Sequence, residues 1–391
     1  MLNTPFSPWP SFTEKEAEAV KQVILSNKVN YWTGSECREF EKEFAQWSDS
    51  SHAVCVANGT LALDACLAAL NIGQEDEVIV TSRTFLASVS AIANCGAKPV
   101  FADVDLDSQN ITASTIVPQI TKKTKAIICV HLAGWPCEMD AIIQLAQSKS
   151  IAIIEDCAQA HGAQYKNKAV GSLGDIAAWS FCQDKIMTTG GEGGMVTTNN
   201  KALWNTVWSL KDHGKSYDAI YNKQHAPGFR WLHESLGHNW RMMETQGTIG
   251  RIQLKKMDSW TQARTQNAVK ISEAAQTHSI FRVPEVPGHI THAWYKCYAF
   301  IEPSALKDGW NRDRIMNTIQ EQGVPCFSGS CSEVYLEKAF EGTGIRPKER
   351  LPNAQELGET SLMFLVHPTL TESEIQQTCS AITTVAQQAQ R

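Results

Sequence analysis

Four short stretches of this 391-residue chain carry side chains whose types suit one shared chemistry. In WSFCQDKIMTTGGEGGMVTT, Lys185 follows a strand that ends at Ser180 and precedes Gly190, Gly191, Gly193 and Gly194. A lysine on a turn beside such backbone suits a Schiff base, because its amine can sit in a shielded pocket and swing between two partners. Taken alone, the same lysine is more simply a solvated surface side chain in a glycine hairpin. In IAIIEDCAQAHG, Asp156 closes an apolar strand, where open α/β sheets place their ligands. A carboxylate there can keep a pyridinium nitrogen protonated so that the ring accepts electrons. A helix cap or a structural ion pair is the plainer alternative. In VANGTLALD, Asn58, Gly59 and Thr60 stand where a strand gives way to a helix. Free N–H groups and the helix dipole favour a phosphate there, Gly59 permits close approach, and the Thr60 hydroxyl can donate. An ordinary helix cap accounts for the same residues. In TSRTFLAS, Phe85 follows another strand end, to stack on a flat ring or to fill core.

The elements around these stretches predict a common frame. HAVCVANG leads into TLALDACLAALNIG, and DEVIVTS into TFLASVSAIANCG, each a strand followed by a helix. KPVFADVD, KAIICVHLAG, IAIIEDCAQA, IAAWSFCQ and GGMVTTN read as further strands, with MDAIIQLAQSKS as a helix. This alternation predicts an α/β fold with a mostly parallel sheet. Runs such as IAIIE and AIICV are apolar throughout, as expected when both faces of a sheet are covered. After about residue 200 the character changes. Asp212 to Leu236 reads as a long, partly irregular insertion, and METQGTIGRIQLKKMDSWTQARTQNAVKISEAAQ as a long helical region. AWYKCYAFIE and MFLVHP then read as strands, DRIMNTIQEQG and ESEIQQTCSAITTVAQQ as helices, which predicts a smaller α+β domain. The expected division is a large domain over 1–250 and a smaller one over 251–391.

Composition narrows the function classes. The formal net charge is −6 and the Lys and Arg residues are scattered, so no basic stripe predicts nucleic-acid binding. No apolar run of membrane-spanning length occurs, and the first residues show no signal peptide. The twelve cysteines are spread through apolar segments with no C-x-x-C pair. They predict free thiols of a cytoplasmic protein and no metal site.

The ordered motifs NGTLAL, TFLAS, EDCAQAHGA, GSLGDIAAWSF, the lysine followed by TTGGEGGMV, then DHG and NWRM resemble the pyridoxal-phosphate sugar aminotransferases of the DegT/DnrJ/EryC1/StrS type. The likeness runs from about residue 5 to the C-terminus. It implies the fold-type I aminotransferase architecture, with pyridoxal 5′-phosphate as cofactor and pyridoxamine 5′-phosphate during turnover. It implies transfer of an amino group from L-glutamate to a nucleotide-linked keto sugar, by a homodimer whose active sites are shared between subunits. By motif, Lys185 takes the Schiff-base position, Asp156 the pyridine nitrogen and Gln159 the ring's phenolic oxygen. Phe85 takes the stacking position. Gly59, Thr60 and Ser180 take the phosphate, and Asn239 reaches the phosphate of the neighbouring subunit's cofactor. One branch of the family carries histidine in place of the lysine and dehydrates sugars. Lys185 favours transamination, with a sugar dehydratase or a non-catalytic regulatory relative as the alternatives. The WSFCQDKIMTTGGEGGM form resembles the bacillosamine-type branch, which implies a UDP-linked 2-acetamido-4-keto-6-deoxy sugar. Trp32, the loop with His213 and Lys215, and Ser330 within Ser328 to Ser332 are the expected sugar contacts, each equally open to a structural role.

Overall fold

The computed structural model describes residues 5–391. Nine strands lie in the first half: β1 (His52–Val56), β2 (Glu77–Thr81), β3 (Lys98–Ala102), β4 (Thr124–Val130), β5 (Ala152–Asp156), β6 (Gln164–Tyr165), β7 (Lys168–Ala169), β8 (Ile176–Ser180) and β9 (Gly194–Thr198). Five follow: β10 (Phe281–Arg282), β11 (Ile290–Thr291), β12 (Cys297–Ile301), β13 (Cys326–Phe327) and β14 (Ser361–Phe364). The main sheet has the order β1-β9-β8-β5-β4-β2-β3. Its neighbours pair in parallel except β9, which runs antiparallel to both β1 and β8. The fold is therefore α/β with a mostly parallel central sheet, as the strand–helix alternation predicts. A four-stranded antiparallel sheet, β10-β12-β14-β13, forms farther along the chain, and β6, β7 and β11 make a small ribbon.

The apolar strands are apolar because helices cover both faces. Val54, Val56, Ile128, Ile154, Ala178 and Val196 pack with Ala62, Leu63 and Leu67 of the helix Gly59–Ala69. On the opposite face Ile127 and Ile153 join Met139, Ile142 and Ala146 of the helix Met139–Lys149. Each such aliphatic side chain contributes about 1.5–3 kcal/mol when fully buried. The long helical region after residue 243 is two helices, Glu244–Leu254 and Met257–Gln276. The second packs its Ala268, Ile271 and Ala275 into a core with Phe281, Cys297, Leu362, Phe364 and Ile382. The two halves share residues: Phe6 joins that later core, while Val334, Tyr335 and Phe340 enter the core of the main sheet. The insertion forms one short helix, Tyr217–Tyr221, and is otherwise irregular. Among the described residues no helix is long and apolar enough to cross a membrane.

Candidate active site

Period-two alternation sorts the end of β5 into two chemistries. Ile154 and Asp156 face the helix Gly59–Ala69, whereas Ile153 and Glu155 face the other way. Glu155 is fully buried, 3.0 Å from His131 Nε2, and accepts the amides of Gly171, Leu173 and Gly174 at 2.7–2.8 Å. Burial pushes its pKa up, but His131 and the amides more than offset this and hold the carboxyl below its ordinary value. His131 Nδ1 in turn accepts the Cys137 amide at 3.0 Å. The donors and acceptors of this pair are matched, so His131, Glu155 and Cys157 read as a closed structural knot rather than a cation site.

Asp156 opens onto a cavity of about 660 Å³ at the C-terminal ends of β1, β2, β5 and β8. Its Oδ2 accepts the Ser88 hydroxyl at 2.7 Å and its Oδ1 the Ala158 amide at 3.1 Å. Ser88 is itself paired with Thr84 at 2.9 Å. The same cavity is lined by Asn58, Gly59, Thr60, Phe85, Gln159, Ser180 and Lys185. Thus every residue that the sequence assigns to the cofactor, Asn239 excepted, meets in one place. Phe85 is 68% exposed, so core filling does not explain its position. The Gln159 carbonyl oxygen accepts the Ala133 amide at 2.8 Å, which leaves its NH2 group to donate.

At the other end of the cavity Asn58 caps its helix by accepting the Leu61 amide at 3.0 Å. The amides of Gly59 and Thr60 precede the first intrahelical bond and have no partner within the helix. A Cβ at position 59 would lie 2.5 Å from Ser180 Cβ, and one at position 194 only 2.3 Å from the Asn58 carbonyl oxygen. Glycine at both positions is what lets the β8–β9 pair close against the helix start. An acid at one end, helix-start amides at the other and an amine on the wall fit a phosphorylated pyridine aldehyde.

Ser180 ends β8, and the next residues turn with the Lys185 amide on the Cys182 carbonyl at 3.1 Å. The Trp9 indole donates to the Lys185 carbonyl at 2.8 Å. Asp184, which motif reading passed over, lines the cavity and accepts the Tyr295 hydroxyl at 2.5 Å. Only its place beside Lys185 could have drawn attention to it, and nothing in the sequence pairs it with Tyr295. Ser88 was missed for the same reason, lying on the helix Ala87–Asn94 far along the chain from Asp156.

The expected sugar contacts lie elsewhere. Trp32 lines a separate cleft of about 630 Å³ with Tyr31, Trp204, Trp208 and Tyr217, and the Lys215 ammonium sits 4.3 Å over its ring. His213 and Asn239 are exposed and belong to one backbone cluster: the His213 amide donates to the His238 carbonyl, and Asn239 bridges Asp212. This cluster reaches the cavity's edge through Trp240, whose carbonyl accepts the Ala57 amide at 2.8 Å. Ser330 is outside the cavity lining, with its amide on the Tyr298 hydroxyl at 3.0 Å, but its loop meets the β2 end where the Thr84 amide donates to the Cys331 carbonyl.

Comparison with known proteins gives this geometry a lineage. The DegT/DnrJ/EryC1/StrS aminotransferase family matches residues 10–383. The chain is 33% identical to a GDP-perosamine synthase of Escherichia coli O157:H7, over 95% of this chain and 96% of that protein. It resembles the X-ray structure of an aminotransferase from Psychrobacter cryohalolentis at 61% identity and a TM-score of 0.96, covering 97% of this chain and 98% of the other. It also resembles S. venezuelae DesV, solved in complex with a ketimine intermediate, at 29% identity and a TM-score of 0.85 over 95% and 94% of the two chains. The chain belongs to the DegT/DnrJ/EryC1/StrS aminotransferase family and is a pyridoxal 5′-phosphate-dependent sugar aminotransferase.

Proposed function

We propose that this enzyme moves the amino group of L-glutamate to C4 of UDP-2-acetamido-4-keto-2,4,6-trideoxyhexose, with Lys185 and Asp156 as its catalytic residues. The observation that carries the reading is the Lys185 amine and the Asp156 carboxylate in the wall of one cavity. A nucleotide-linked substrate is supported by the relative named for GDP-perosamine, and the UDP-linked sugar by the form of the Lys185 motif.

Bound pyridoxal phosphate would supply an aldehyde that condenses with amines and a ring that takes up the electrons of a broken C–H bond. Asp156, itself fixed by Ser88 and the Ala158 amide, would hold the proton on the ring nitrogen. Gly59, Thr60 and Ser180 would bind the phosphate, Phe85 would cover the ring face, and the Gln159 NH2 group would face the phenolic oxygen. Freed from its covalent bond, Lys185 would take the proton from glutamate Cα and deliver it to C4′, then run the transfer in reverse on the sugar. Trp32, His213, Lys215 and Ser330 are proposed sugar contacts.

Residues 1–250 are proposed as the large cofactor domain and 251–391 as the smaller one, since the main sheet lies wholly within the first span and the four-stranded sheet within the second. The working unit is proposed as a homodimer in which Asn239 reaches the other subunit's phosphate. Phe229, Trp231 and Leu236, each at least 79% exposed, offer that contact an apolar surface. A cytoplasmic setting accords with twelve free thiols.

Incubation with L-glutamate and a panel of nucleotide-linked keto sugars tests the reaction. An amino sugar formed in step with 2-oxoglutarate is expected, and loss of water without nitrogen transfer would refute it. Gly59→Ala tests the phosphate end. The added Cβ meets Ser180, and overpacking of this kind costs about 1–3 kcal/mol. The cofactor concentration for half-saturation should rise about tenfold or more in an absorbance titration, and an unchanged value would move the phosphate away from this helix start.

A further inference from the structure

Asp184 lines two cavities. One is the active site; the other, about 350 Å³, is shared with Trp9, Lys296 and His367. Between them the Asp184–Tyr295 hydrogen bond ties the Lys185 turn to the segment entering β12, across 111 residues of chain. The Lys185 ammonium lies 5.2 Å from the centre of the Tyr295 ring. That ring is fixed from behind: the Tyr295 amide donates to the Ala133 carbonyl at 2.8 Å, and buried Arg264 donates to the Tyr295 carbonyl at 3.4 Å.

The charges favour an ionised Asp184 beside a neutral Tyr295. Burial pushes the Asp184 carboxyl up, but Lys185, the Tyr295 hydroxyl and Lys296 more than offset it and hold it below its ordinary value. Burial, then the Asp184 charge, pushes the Tyr295 hydroxyl well above its ordinary value, so it remains a donor. A phenol donating to a carboxylate has a more electron-rich ring, and such a face attracts an ammonium more strongly. The remaining groups define the field. Asp156, Cys182 and Glu192 share the cavity wall with Lys185. Lys296, drawn down to about 8 by burial and then by Arg264, sits 4.9 Å from the same ring. His161, drawn down to about 3 by burial and then by Lys185 and Arg264, carries no charge near neutral pH.

A lysine released from a covalent bond has four free side-chain torsions, and proton transfer between two fixed carbons needs it held close. We propose that Asp184, locked by Tyr295, is a positioning residue that docks the freed, protonated Lys185 amine on the Tyr295 ring between proton transfers. The proposal rests on the reading of Lys185 as the cofactor-bearing lysine.

The test uses wild type, Asp184→Asn and Tyr295→Phe, each loaded with pyridoxamine 5′-phosphate so that the Lys185 amine is free. Competitive labelling with acetic anhydride at one fixed pH, read on the Lys185 peptide by mass spectrometry, gives the reactivity of that amine. Loss of the Asp184 charge should undock the amine and raise its labelling several-fold. With the same proteins loaded instead with pyridoxal phosphate, the half-reaction with the amino donor should slow about tenfold while its KM changes less than about twofold. Unchanged Lys185 labelling in Asp184→Asn overturns the proposal. Should that variant fail to fold, Tyr295→Phe, which keeps the ring, decides by the same criterion. Failure of the underlying reading looks different: Lys185→Ala loaded with pyridoxal phosphate would keep the visible band of wild type, whatever the labelling shows.

Discussion

Lys185→Ala should fold, bind cofactor, and transfer amino groups at least about 10³-fold more slowly than wild type. The size of the loss follows from two jobs falling on one amine. In the proposed mechanism it presents the cofactor in a form that exchanges readily with an incoming amine, and it then moves the proton at the bond that must break. Neither neighbour can substitute. The Asp184 carboxylate is engaged by Tyr295, and Lys296 is buried beyond that ring. The protein should also lose the visible absorbance of lysine-bound cofactor while retaining cofactor removable by dialysis. Turnover within tenfold of wild type, measured as 2-oxoglutarate release, would remove Lys185 from the proton path.

Glu155→Ala should cost about 3–5 kcal/mol of folding stability, because it strands His131 and three amides in a dry interior. Urea denaturation of the cofactor-loaded protein reads this directly, and a loss under about 1 kcal/mol would mean that water replaces the carboxylate. The sign of the pH dependence follows from the lowered pKa. Folding favours the ionised form, so the Glu155 contribution is complete above the unfolded pKa, near 4.5, and is lost as pH falls through the lower folded value. The gap between wild type and variant should therefore be full near neutral pH and close only in acid. Asp156 is the next residue, so the variant should also weaken cofactor retention.

The frame of the molecule is legible in the sequence where burial writes a simple pattern. Strands such as IAIIE are apolar on both faces, and the strand ends that carry Asn58, Phe85, Asp156 and Ser180 do converge. The Lys185 turn is legible through its glycines, of which Gly194 is the one where the chain passes close to another backbone. What is not legible is long-range pairing. The reversed direction of β9 leaves no mark on GGMVTT, since an antiparallel strand covered on both faces looks like a parallel one. The Asp184–Tyr295 contact and the entry of Phe6 into the later core join residues whose neighbours give no hint of each other. Trp32 and Lys215 illustrate the same limit. The sequence marks them as an aromatic and a cation near expected loops, but their contact, with the ammonium on the indole, emerges only when the insertion folds back.

The reversal of β9 also governs how this enzyme can change over generations. Because β8 and β9 are adjacent and antiparallel, Ser180 and Gly194 are fixed opposite each other, and the lysine hangs from a loop with both ends clamped. A single inserted or deleted residue would turn Trp179 to the other side of the sheet if it fell in β8, or Val196 if it fell in β9. Within the loop the same event shifts only the reach of the amine. Descendants can therefore tune the reach of that amine by trimming or extending residues 181–193, while the sheet that carries Asp156 stays untouched.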